Sequence, residues 1–156
     1  MTTFDLSAET TVERPASIVW ALLADYANDT VWRTGVVAMT ADPPGIVTAG
    51  ARTLEQLRFA GRTWHNVGEV LAVEPGTRMA WRTTSGADAQ GTRTVTPLSA
   101  ERCRVHLELH VTPHGMQRPI GRLLARMLQR NLDRDVTALR ELAERPSVRT
   151  GRQSLP

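Results

Sequence analysis

Residues Arg118–Arg145 read RPIGRLLARMLQRNLDRDVTALRELAER, and their spacing predicts one amphipathic helix. Ile120, Leu124, Leu128, Leu132, Val136 and Leu139 recur at intervals of three and four, as a single helical face requires. At ~1.5 Å per residue the helix spans roughly 40 Å, longer than a typical globular helix. Such a face has to lie on something. In a chain of 156 residues the available partner is a sheet.

Upstream, the chain supplies one. Phe4, Leu6, Ala8, Thr10 and Val12 alternate with polar residues, a half-buried strand ended by Arg14-Pro15. Pro15 or Ser17 can start a short helix carrying Ile18, Val19, Leu22 and Leu23, and a second helical turn is expected at Asn28–Arg33. Six strand-like segments follow between turn signals: Val36–Thr40, Ala51–Phe59, Arg62–Val73, Arg78–Thr84, Thr92–Leu98 and Arg102–Thr112. Gly86–Gly91 reads as a turn and Pro113–Pro119 as a loop. Sequential hairpins make an antiparallel sheet, and one long helix on its face is an α+β layout. A sheet of this many strands curls, and a helix in the curl leaves a cavity wherever side chains do not fill it.

Composition excludes several classes of chemistry. All 19 basic residues are arginine, so a Walker-type phosphate loop, a Schiff-base lysine and a pyridoxal-phosphate anchor are ruled out. No apolar run approaches the ~20 residues of a membrane span. Met1–Val12 lacks the basic and apolar regions of a signal peptide. The single cysteine, Cys103, excludes an internal disulfide and points to a reducing, cytoplasmic location. Charge is uneven: residues 118–156 carry nine arginines against four acids, residues 1–117 ten against twelve.

Two stretches carry a family resemblance. Val12-Glu13-Arg14-Pro15-Ala16-Ser17-Ile18-Val19-Trp20, followed by Asp25 and Trp32, resembles the opening of the START-related (SRPBCC) polyketide cyclase/dehydrase-like proteins. Gly68-Glu69-Val70 through Pro75, with Met79-Ala80-Trp81, resembles the fourth and fifth strands of that superfamily. The resemblance covers residues 3–144. It implies a helix-grip fold, related to the birch-pollen-allergen-like proteins: a curved antiparallel sheet of about seven strands around a long C-terminal helix. Two short helices would follow the first strand. One domain is then expected over residues 1–145, with 146–156 a disordered tail. The resemblance further implies a pocket between sheet and helix that takes a hydrophobic small molecule such as a lipid or an aromatic polyketide. No cofactor is implied.

The residues themselves nominate a lining. Asn131 and Asp135 lie one turn apart near the middle of the apolar stripe. They either line the pocket and orient or protonate a ligand, or hydrogen-bond a sheet arginine or a loop backbone, since a buried carboxylate must be paired. Met127 belongs to the same stripe. Met79, Trp81 and Thr83 share a strand face, as do Cys103, Val105, Leu107 and Leu109. Thr53, Glu55, Leu57 and Phe59 share another, which brings Glu55 inside if Leu57 and Phe59 are inside. On the next strand either Trp64 and Asn66 or His65 faces inward, with Trp64 preferred and Gly68 a possible bulge where the faces switch. Ligand-binding candidates are therefore Asn131, Asp135, Trp81, Trp64, Phe59 and Met127. Candidates for acid/base work are Asp135, Glu55 and His65.

Two visible patterns point elsewhere. Arg118, Arg122, Arg126, Arg130 and Arg134 form an i,i+4 row that reads as a solvated face, because Arg122, Arg126 and Arg130 lie opposite the apolar stripe, and the absence of aromatic interleaving weighs further against nucleic acid. His106-x-Glu108-x-His110 places its histidines ~13 Å apart on a strand, too far for one zinc ion, which sits ~2 Å from each ligand nitrogen. Nucleophile motifs are missing, and Cys103 among apolar alternates reads as a core thiol. The leading expectation is a cytoplasmic, monomeric or homodimeric protein that binds a hydrophobic or aromatic small molecule and neither binds nucleic acid nor spans a membrane. The alternatives are a polyketide cyclase or dehydratase using the same cavity, and a module docking its basic helix on an acidic partner.

Overall fold

The computed structural model describes residues 2–146, so the tail expected over 146–156 falls outside the described residues save for Pro146. The chain runs β1 (Phe4–Val12), α1 (Ala16–Leu23), a 3₁₀ turn (Tyr26–Asn28), α2 (Asp29–Trp32), β2 (Val36–Asp42), β3 (Arg52–Phe59) and β4 (Arg62–Glu74). It continues through β5 (Arg78–Ser85), β6 (Ala89–Ser99), β7 (Arg102–Val111), a second 3₁₀ segment (Gly115–Ile120) and α3 (Gly121–Glu144). The seven strands form one antiparallel sheet in the order β1-β7-β6-β5-β4-β3-β2. Strands β2 to β7 are hairpin neighbours. Strand β1 closes on β7, from Phe4 opposite Val111 to Val12 opposite Cys103. The chain must therefore cross from one edge of the sheet to the other between β1 and β2, and α1 and α2 make that crossing. This is the α+β layout that the element order implies and the helix-grip architecture that the family resemblance implies.

Register shifts bend the sheet. They fall between Val36 and Ala38 in β2, between Val67 and Gly68 and between Val70 and Ala72 in β4, and between Pro97 and Ser99 in β6. Within β4, Asn66, Gly68 and Val70 are buried and His65 is exposed, so Gly68 does not switch the faces. The switch comes later, at Leu71-Ala72, after which Val73 packs against the core.

Helix α3 starts at Gly121, three residues beyond the expected Arg118, and is about 36 Å long at the usual rise. Pro119 is the physical reason. It has no N–H to donate into an α ladder, and the segment before it winds as 3₁₀ rather than as an open loop. Strand β6 likewise begins at Ala89, inside the expected Gly86–Gly91 turn.

The inner face of α3 divides in two. Leu132, Val136, Leu139 and Ala143 join α1 and the sheet in a close-packed core with Val12, Leu23, Met79 and Val105. Toward the N-terminal end the inward positions include Gly121, packed so closely on Phe4 of β1 that a Cβ would come 3.0 Å from its ring, and Ala125, whose methyl leaves the space beside it unfilled. One end of the curl is filled and the other is hollow. Arg118, Arg122, Arg126, Arg130 and Arg134 are all exposed. No helix among the described residues is long and apolar enough to cross a membrane.

Candidate functional site

The hollow end is a cavity of about 140 Å³, partly open to solvent. That approaches the about 150 Å³ of an engineered apolar cavity that holds benzene, so the enclosed part has room for roughly one ring and its open side lets a larger body extend outward. Its walls are apolar and aromatic: Phe59, Trp64 and Trp81 from the sheet face Leu124, Ala125 and Leu128 from α3. Alternation along the strands puts them there, because Phe59, Trp64 and Trp81 lie on the inward face of β3, β4 and β5. Trp81 needs Gly91 beside it. A Cβ on Gly91 would come 2.9 Å from the Trp81 ring and closer still to the Glu108 carbonyl.

Beneath these walls runs a chain of charges. Asp29, at the start of α2, is 0% exposed and takes a two-pronged bond from Arg93 of β6, with Nη1 to Oδ1 at 3.0 Å and Nη2 to Oδ2 at 2.6 Å. Arg93 Nη1 also donates to the Leu23 carbonyl at 2.8 Å. Its guanidinium lies over the rings of Tyr26 (4.8 Å) and Trp32 (5.0 Å). Arg33 Nη1 donates to Asp29 Oδ2 at 3.1 Å and to Glu55 Oε2 at 2.6 Å. Asn66 Nδ2 donates to Glu55 Oε1 at 3.0 Å, and Asn66 Oδ1 accepts the Ala87 backbone N–H at 2.9 Å. Two arginines and two carboxylates thus alternate from α2 across β6, β3 and β4 to the turn before β6. Buried charges persist only when paired and hydrogen-bonded, and this chain pairs every one.

The electrostatic consequences differ along it. Burial opposes ionisation of Glu55, but the Arg33 charge and the bonds from Asn66 and Arg33 outweigh it and hold the carboxyl below its ordinary range. Burial pushes the Tyr26 phenol up to about 12, with the Arg93 charge opposing. Glu55 is therefore an anion committed to its partners, a poor proton acceptor for a ligand.

A second, smaller cavity of about 70 Å³ adjoins the first. Arg33, Leu57, Trp81, Arg93, Leu109 and Leu128 border both. Trp32, Asn131 and Asp135 border only the small one. Asp135 Oδ1 accepts the Thr34 backbone N–H at 2.6 Å, which ties α3 to the turn after α2. Burial raises the Asp135 carboxyl above its ordinary range despite that bond and the nearby arginines.

The structure sorts the sequence candidates as follows. Trp81, Trp64, Phe59 and Glu55 border the large cavity. Asn131 and Asp135 do not. They face the side chamber, and Asp135 makes the loop-backbone bond that was one of its two readings. Met127 borders neither cavity, being half-buried on the flank of α3 rather than on its inward side. His65 is exposed on the outer face of β4, which removes it from acid/base work in the cavity. His106 and His110 lie half-exposed on β7, His110 Nδ1 being 2.6 Å from Asp5 Oδ1. Cys103 is buried, and burial raises its thiol, as for an inert core cysteine. Missed altogether were Asp29, Arg33 and Arg93. A signal for Arg93 exists: Gly91, Arg93 and Val95 alternate with Thr92, Thr94 and Thr96, so the arginine shares the face that carries the apolar residue.

A curled antiparallel sheet gripping one long helix, with a cavity between them, is the helix-grip class of fold. The chain belongs to the polyketide cyclase / dehydrase and lipid transport family, whose profile matches residues 3–144. Its backbone superposes on the Zhui aromatase/cyclase of Streptomyces sp. R1128 with a TM-score of 0.78 at 18% identity, covering 92% of this chain and 95% of that one. A protein from Thermus thermophilus gives 0.75 at 19% identity over 90% and 97% of the two chains. A START superfamily protein from Mycobacterium smegmatis gives 0.69 at 13% identity over 90% and 97%. At these identities the likeness is one of fold. No curated protein is significantly similar in sequence.

Proposed function

We propose that the protein binds a hydrophobic or aromatic small molecule, lipid- or polyketide-like, in the cavity between the sheet and α3. The carrying observation is the hollow end of the curl: aromatic walls over a floor whose charges are already paired. Apolar ligand surface buried there contributes ~25 cal/mol per Å². Because the floor is internally neutralised, the fitting ligand is uncharged where it meets Arg33 and Glu55. All the walls come from one chain, so a monomer suffices, and the lone buried thiol accords with a cytoplasmic location.

Titration with N-phenyl-1-naphthylamine, an uncharged dye that brightens in apolar surroundings, tests this reading. Saturable binding is expected, weakened about tenfold by Ala125→Phe, since filling a cavity costs a ligand at least the ~1.4 kcal/mol that tenfold represents. Dye binding that ignores Ala125→Phe, with circular dichroism unchanged, would place the ligand elsewhere.

A second reading, a cyclase or dehydratase, is favoured by one observation. Asp135 carries a raised pKa beside the cavity, the property a general acid needs. Asp135→Asn should then abolish turnover of a carbonyl-rich aromatic precursor while sparing its affinity. Equal loss of both would return Asp135 to a binding role.

A further inference from the structure

The arginine row of α3 sits in a segment whose charge is one-sided. Residues 113–132 hold four arginines and no acid, whereas the second half of α3 mixes Arg134 and Arg140 with Asp133, Glu141 and Glu144. A merely solvated helix face carries both signs, as that second half does. Among the described residues none of Arg118, Arg122, Arg126 and Arg130 forms an ion pair, and all four are exposed. The same segment exposes apolar side chains: Met116 is 94% exposed, Ile120 48% and Leu123 55%. Single exposed apolar residues are ordinary, but three within about two turns form a patch. At 100° per residue, Leu123 stands about 20° from Arg130 and about 60° from Arg126 on the outward side of α3. On the inward side Gln117, Gly121 and Leu124 border the large cavity.

We propose that the outer face of residues 115–130 docks on an anionic lipid bilayer, with Met116, Ile120 and Leu123 entering the headgroup layer and Arg122, Arg126 and Arg130 on the lipid phosphates. Charge and apolar exposure have to be met together, and a bilayer with negative headgroups meets both in one plane. A polyanion such as nucleic acid would take the arginines and leave Met116 and Leu123 in water. A neutral bilayer would take the apolar tips and leave the cations without counter-charge. Guanidinium suits the role, since its planar fork binds phosphate oxygens in pairs. The contact is peripheral. No helix among the described residues is long and apolar enough to cross a membrane, and side chains on an exposed helix face reach only the boundary between headgroups and acyl chains. Docked this way, the segment that meets lipid on one side walls the cavity on the other, through Gln117, Gly121 and Leu124. Docking uses the outer side alone and requires no ligand in the cavity.

Sedimentation of the full chain with sucrose-loaded vesicles tests this. Vesicles of phosphatidylcholine with about one-third phosphatidylglycerol should carry the protein down, and pure phosphatidylcholine vesicles should not. Each arginine near such a surface is worth roughly fivefold, so Arg122→Gln, Arg126→Gln and Arg130→Gln together should cut partitioning about a hundredfold. Met116→Ser with Leu123→Ser should cut it roughly tenfold and leave retention on heparin unchanged, because heparin offers charge without an apolar layer. All five positions are exposed, so both variants should keep the parent's circular dichroism. Absence of the parent protein from the anionic pellet overturns docking. So does equal sedimentation with both vesicle types. Vesicle binding that the arginine variant loses but the Met116→Ser, Leu123→Ser variant keeps in full makes the face a general polyanion surface and overturns the bilayer as its partner. The N-phenyl-1-naphthylamine titration, run without vesicles, reads the cavity alone, so cavity binding and docking fail separately.

Discussion

At the scale of single residues, Asp29 is the least replaceable side chain of the site. It lies on a four-residue helix, fully buried, and takes bonds from two arginines. Removing its charge leaves Arg93, itself 5% exposed, as an unpaired buried cation. Asp29→Asn should destabilise the protein by about 3–5 kcal/mol, read as a lower urea midpoint. A loss under about 1 kcal/mol would mean that Tyr26, Trp32 and the Leu23 carbonyl suffice to hold Arg93. Asp135 makes a prediction of a different kind. Its folded pKa is raised, so between an unfolded value of ~3.9 and that raised value the folded protein keeps a proton that the unfolded chain has lost. Its contribution to stability therefore falls as pH rises through this window. Glu55, whose folded pKa is lowered, works the other way: its contribution is present above the unfolded value and is lost as pH falls. Asp135→Asn keeps an oxygen for Thr34 and removes the buried charge. The variant should gain on the parent protein as pH rises from about 4 and then hold a constant lead. Denaturation midpoints measured every half pH unit would show it, and parallel curves would refute it.

At the scale of elements, α3 does two jobs with two halves. Leu132, Val136 and Leu139 seal the core, whereas the short side chain of Ala125 leaves a cavity beneath the other half. Its outer face does neither. Replacing Arg122, Arg126 and Arg130 together with Gln should change unfolding free energy by no more than about 0.5 kcal/mol, because all three are exposed. Heparin retention of the variant, compared with the parent, tests the docking idea separately. Salt-sensitive retention that the triple substitution leaves unchanged would exclude that face as the contact. The strands were largely legible from alternation, because one side of each packs inward and the other meets water. Boundaries were less so, since Pro119 moved the helix start and pairing with β7 extended β6 back to Ala89.

For the molecule as a whole, closing β1 on β7 is the decisive step. It sends the chain across the filled end of the curl as α1 and α2, and this crossing carries Tyr26, Asp29, Trp32 and Arg33 over the sheet. The charge chain then spans from that crossing to three strands, so the cavity has a floor whose charges are paired. The sequence by itself determined the element order, the amphipathic helix, the inward faces of β3, β5 and β7, and the solvated arginine row. All of these follow from local periodicity, which a single chain displays along its length. Only the tertiary structure decided that Asp29, Arg33, Glu55 and Arg93 meet, that Asn131 and Asp135 border a side chamber rather than the main cavity, and that His65 faces out. Those outcomes depend on register, bulges and chain crossing between residues as far as 101 positions apart, as Thr34 and Asp135 are. Periodicity reports which side of its own element a residue is on, and carries no information about what the opposite element brings to meet it.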